Sequence, residues 1–101
     1  MHRILIFGDS IAYGRGDPDG LGWTGRLAQT FRAKGFWNDI YTLGIPGNTS
    51  TDVLARIEHE CKARSAKRAE DDRNTILIAV GNNDTKILTG EKQTCVSAED
   101  F

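Results

Sequence analysis

Three short segments carry residue types suited to acyl-transfer chemistry: Gly8-Asp9-Ser10, Gly44-Ile45-Pro46-Gly47-Asn48-Thr49 and Gly81-Asn82-Asn83-Asp84. Ser10 offers a hydroxyl nucleophile, and at a strand-to-helix turn its own backbone N–H can donate to a developing oxyanion. Gly47 has no Cβ and can bring a bare backbone N–H close to a substrate oxygen. Asn83 can add a neutral side-chain donor to the same oxygen. Taken singly, each has a plainer explanation. An isolated Gly-Asp-Ser is more often an N-cap or turn, and Asn82 fits ordinary turn chemistry. Asp9 and Asp84 fit a supporting role, accepting backbone N–H bonds that tie the loops together.

Each segment follows a strand pattern, and this brings the three together. Ile4-Leu5-Ile6-Phe7 is a continuous apolar run, as expected of a strand covered on both faces. Ile40-Tyr41-Thr42-Leu43 reads as a second strand, stopped by the glycines and Pro46, and Thr75 to Val80 as a third. Between the first two lies a Gly- and Asp-rich stretch, Ile11 to Gly22, read as loop. It is followed by helical spacing at Trp23, Leu27 and Phe31, with Trp23 assigned to the core and Gly35 as an αL cap. Thr49 and Asp52 form a capping box, with Ser50 also assigned to capping, for a second helix carrying Val53, Leu54, Ile57 and Cys61 on one stripe. The charged run from Arg64 to Arg73 is expected to be a solvated helix end and linker. The order β-α-β-α-β implies a parallel sheet with helices on both sides, and in such sheets ligands bind outside the carboxyl ends of the strands, where all three segments fall.

Bulk properties narrow the partners. A chain of 101 residues with 13 basic and 14 acidic side chains fits one small domain, and its net charge of −1 provides no general attraction for nucleic acid or anionic lipid. Cys61 and Cys95 have no ligand neighbours at metal spacing, so neither a zinc site nor a disulfide framework is indicated, and no cofactor is expected. The apolar run near Met1 is too short for a signal-peptide core, and a cytoplasmic location is expected. The glycines at 8, 14 and 16 do not form a dinucleotide or P-loop cradle, and Arg15-Gly16-Asp17 is best taken as a chance match to an adhesion tripeptide.

Residue by residue, the three segments resemble the conserved blocks of the SGNH (GDSL-type) hydrolases. Gly8-Asp9-Ser10 matches the first block and makes Ser10 the nucleophile, Gly47 matches the second-block glycine, and Gly81-Asn82-Asn83-Asp84 matches the third block with Asn83 as the oxyanion-hole asparagine. The resemblance implies a flavodoxin-like three-layer α/β/α sandwich, about half of it present here as three strands, two helices and the start of a third. It also implies a serine ester hydrolase acting on a lipid, sugar acetate, thioester or small alcohol ester.

One block is missing. The family's Asp-x-x-His, which supplies the base and the acid that orients it, has no counterpart. At about 3.3 Å per strand residue, His2 lies over about 20 Å from Ser10. His59 sits on a helix that runs away from the active edge. Ser97-Ala98-Glu99-Asp100 repeats the capping pattern just before the last residue, Phe101, so a truncated domain spanning 1–101 with weak or absent turnover is expected. The competing expectation is a non-catalytic binding or assembly module. Its exposed third strand would then pair with a second copy or with a complementing C-terminal fragment. A flavodoxin-like cofactor binder rests only on fold analogy.

Overall fold

The computed structural model describes residues 1–35, 38–65 and 68–85. They form β1 (His2–Gly8), α1 (Ser10–Tyr13), α2 (Gly22–Ala33), β2 (Asn38–Gly44), α3 (Ser50–Arg64) and β3 (Arg73–Ala79). The strands make one parallel sheet in the order β2-β1-β3, with Gly8 in register with Gly44 on one side and Ala79 on the other. This is the α/β arrangement that the alternating pattern predicts. The Ser97–Asp100 capping pattern and Cys95 lie outside the described residues.

The central position of β1 explains its unbroken apolar run. Leu5, Ile6 and Phe7 are fully buried, because alternate side chains of a central strand meet a helix layer on each face. Leu5 and Phe7 form a core with Val53 of α3, supported by Tyr41, Leu43, Ile57, Cys61 and Val80. On the opposite face, Thr24 and Gly25 of α2 share a groove with Thr42, whose register partner is Ile6. Helices therefore cover both faces.

The structure corrects several expected details. The stretch read as loop after Ser10 begins with the short helix α1, capped at its end by Gly14 in the left-handed region (φ 92°). Trp23 is 40% exposed rather than core, because α2 turns Gly22, Thr24 and Ala28 inward instead. Only small residues fit there: the Thr24 hydroxyl donates to the Ala12 carbonyl at 2.8 Å, and a Cβ on Gly22 would stand 2.8 Å from the Gly14 Cα. At about 100° of rotation per residue, Trp23 is carried to the rim. In α3 the residues Val53, Ile57 and Cys61 follow the expected seam, whereas Leu54 is 75% exposed. Leu54 stands beside an apolar groove with Ile57, Ile78 and Val80 that no described residue fills.

The charged linker is also not wholly solvated. Asp72 is almost fully enclosed and accepts from Arg3 at 3.1 Å and from the Arg68 N–H at 2.9 Å. The Arg68 N–H, then Arg3, hold its carboxyl well below the usual carboxylate range. The predicted Gly35 cap is present, with φ at 74° and its N–H donating to the Arg32 carbonyl at 3.0 Å.

Candidate active site

Ser10 is the first residue of α1, and α1 lies directly across the carboxyl ends of β1 and β2. A Cβ on Gly8 would stand 2.5 Å from the Ala12 Cβ, and one on Gly44 would stand 2.6 Å from the Tyr13 nitrogen. The paired glycines thus allow the Ser10 turn to sit flat on the sheet. Asp9 is buried and caps the turn, its carboxylate accepting from the Ile11 N–H at 2.9 Å. Ser10 itself is half-buried, and as the first helical residue its N–H has no intrahelical acceptor.

The second segment is tied to the first by the Ile45 N–H donating to the Gly8 carbonyl at 3.0 Å. It then turns tightly, the Asn48 N–H donating to the Ile45 carbonyl at 3.1 Å, with Pro46 and Gly47 at the central positions. Gly47 has φ 86° and open space around its missing Cβ, so backbone conformation rather than crowding requires glycine there. Thr49 and Asp52 form the predicted capping box at the start of α3. Ser50 does something else. Its N–H and hydroxyl both donate to the buried Asp84 carboxylate, the N–H at 3.0 and 3.1 Å, fastening the third segment to α3. Asn83 is half-buried and its Nδ2 donates to the Asn48 carbonyl at 3.0 Å. All three segments therefore meet at one end of the sheet, with Asn83 and the Gly47 turn bonded to each other through Asn48.

A residue that sequence reading passed over lies beneath them. Arg56 of α3 donates from Nη2 to the Leu43 carbonyl at 2.7 Å and from Nε to the Asn48 side-chain oxygen at 3.0 Å. Its guanidinium stands 5.3 Å from the centre of the Phe7 ring. Burial pulls its pKa below the ordinary arginine range, opposed by Glu60 and Asp52. Its place three residues after the buried Val53 was the one available signal, since that offset keeps it beside the core-facing stripe.

Neither histidine joins the site. His2 is at the opposite end of β1, within 2.6 Å of the Thr75 hydroxyl, and His59 is exposed on α3. Among the described residues, no group of His, Cys, Asp and Glu could hold a metal ion, and no helix is long and apolar enough to cross a membrane. A groove of about 220 Å³ runs beside the Ser10 turn, walled by Ile11, Trp23 and Val80 with Asn82 at its edge.

Residues 6–99 match the model of the GDSL-like lipase/acylhydrolase family. The chain belongs to that family. Among family-like structures, it resembles AlinE4, an SGNH-hydrolase family esterase, with a TM-score of 0.64 and 27% identity over 83% of this chain and 42% of AlinE4. It is also 27% identical over 100 residues to the uncharacterized protein YpmR of Bacillus subtilis (strain 168), a match covering 97% of this chain and 38% of YpmR. The chain thus spans about two-fifths of the length of these relatives.

Proposed function

We propose that this segment supplies the nucleophile and oxyanion hole of a serine ester hydrolase. The observation that carries the reading is the bonding of the Gly47 turn to both neighbours, to β1 through Ile45 and Gly8 and to Asn83 through the Asn48 carbonyl. In the reaction, Ser10 Oγ attacks the acyl carbonyl and passes its proton to a base. The carbonyl oxygen takes up the electron pair and is held by the Ser10 N–H, the Gly47 N–H and the second hydrogen of Asn83 Nδ2. Collapse expels the alcohol, which takes the proton back from the base, and water then releases the acid from Ser10 by the same route. With His2 and His59 both remote from Ser10, the base in this reading comes from outside the described residues.

The test measures turnover of a short-chain p-nitrophenyl ester by the protein and by its Ser10→Ala variant. Residues 1–101 by themselves are expected to stay near the residual rate of an oxyanion hole without a base. Any turnover above that rate is expected to fall by at least about 10³-fold in Ser10→Ala. Full activity in Ser10→Ala would overturn the nucleophile assignment, and robust Ser10-dependent turnover by residues 1–101 by themselves would overturn the missing base.

A second reading, assembly through the third strand, is favoured by the exposure of Ile76, Leu77 and Ile78 on β3, at 46%, 37% and 57%. Among the described residues the outer edge of β3 is unpaired. Strand addition there predicts a dimer of the segment at micromolar concentration by light scattering, and a monomer would contradict it.

A further inference from the structure

The geometry points to Arg56 as the positioning residue for the oxyanion donors, an inference that rests on the hydrolase reading of Ser10, Gly47 and Asn83. One planar group on α3 touches β1, β2 and the second segment together. Nη2 donates to the Leu43 carbonyl at 2.7 Å and lies 3.5 Å from the Gly8 carbonyl, while Nε donates to Asn48 Oδ1 at 3.0 Å. Leu43 and Gly8 sit at the carboxyl ends of their strands, where the backbone leaves the sheet and its carbonyls need other donors.

Asn48 passes this constraint to both donors. Its N–H closes the turn that holds Gly47 at φ 86°, by bonding the Ile45 carbonyl at 3.1 Å. Its carbonyl accepts one hydrogen of Asn83 Nδ2 at 3.0 Å, which fixes the amide plane and therefore the direction of the second hydrogen. The direction of the Gly47 N–H and that of the Asn83 N–H thus depend on one residue, and Arg56 holds that residue by its side chain. Lysine could not replace it. A single ammonium at the end of a flexible stem cannot present donors in a fixed plane to a side-chain oxygen and a strand-end carbonyl while stacking on Phe7.

A merely structural Arg56 would lower stability without acting through Asn83, so the test is a double-mutant cycle in the protein with kcat and KM measured separately. Arg56→Met is expected to lower kcat by about 10- to 100-fold, as for a misplaced oxyanion donor, with KM within about threefold of the parent. In an Asn83→Ala background the same change should cost at least about threefold less, because one of the two donors it positions is already gone. Arg56→Lys should fall between parent and Arg56→Met. Equal fold-losses in both backgrounds would overturn the proposal.

A readout free of turnover keeps the two readings separable. In ¹H–¹⁵N spectra of Arg56→Lys, the Asn83 side-chain pair and the Gly47 amide should shift while the amides of Leu5 and Val53 stay in place. Unchanged Asn83 and Gly47 resonances would overturn the positioning role even if Ser10 proved not to be the nucleophile.

Discussion

Two loops at the same end of the sheet are fastened by the same chemistry in different surroundings. In the third segment, the buried Asp84 accepts from the Ser50 N–H and hydroxyl. In the 14–22 loop, Asp17 accepts from the Gly22 N–H at 2.8 Å and the Asp19 N–H at 3.1 Å, and is paired with Arg26, whose side chain is 49% exposed. The Asp17 carboxyl is held well below the usual carboxylate range, chiefly by Arg26 and then by the Gly22 N–H. Both aspartates satisfy backbone donors, but only the Asp84 link is shielded from water and salt. The segment that carries Asn83 is thereby anchored by a buried link, whereas the 14–22 loop is held by a bond that solvent can weaken. The Arg15-Gly16-Asp17 tripeptide is accounted for by this loop, since its carboxylate is already engaged.

Removing the shielded link should have the largest effect. Asp84→Ala leaves the Ser50 N–H and hydroxyl without their acceptor and is expected to lower stability by about 3 kcal/mol in urea unfolding. A change under about 1 kcal/mol would mean that the third segment is not anchored there. Next, Gly44→Ala should destabilise by about 1–3 kcal/mol, because its Cβ has no room beneath Tyr13 and Ala12. An unchanged midpoint would show that α1 moves aside freely. Smallest is the exposed link. Asp17→Asn should shift the urea midpoint less than either, and its effect should shrink at about 1 M salt, where charges are screened within about 3 Å. A salt-independent loss would place Asp17 with Asp84 instead.

Acid provides a further contrast. Asp17 and Asp72 have depressed folded-state pKa values, so below the ordinary aspartate value of about 3.9 the unfolded chain takes up protons that the folded chain does not. Their contribution is complete above that pH and is lost as pH falls further. Asp72→Asn should therefore flatten the loss of stability below about pH 4, and an unchanged acid limb would contradict the Arg68 and Arg3 contacts.

Much of the fold was legible in the sequence because it rests on local signals. Two continuous apolar runs and the short β-branched and aromatic stretch at Ile40 to Leu43 mark three parallel strands, and Thr49 with Asp52 marks the start of α3. The misplacement of Trp23 and that of Leu54 share a cause. Helical spacing at Trp23 and at Leu54 identifies apolar residues but not which neighbouring stripe meets the sheet, and the close approach of α2 to α1 chose Thr24 and Ala28 over Trp23. Arg56 and Asp72 escaped notice for a different reason. Most of their partners are backbone groups, the Leu43 carbonyl for one and the Arg68 N–H for the other, and these carry no sequence signature. The three chemical segments were visible as motifs, yet their linkage through Asn48 was not.

Ser10, Gly47 and Asn83 are proposed to form one acyl-transfer site. Its most direct test is to treat the protein with an alkyl fluorophosphonate and locate the adduct by peptide mass spectrometry, since attack by Ser10 Oγ expels fluoride and leaves a stable phosphonyl serine. A single adduct at Ser10, formed at least about tenfold more slowly in Asn83→Ala, is the predicted result. An active protein whose adduct lies elsewhere, or a Ser10 adduct formed at the same rate without Asn83, would contradict it.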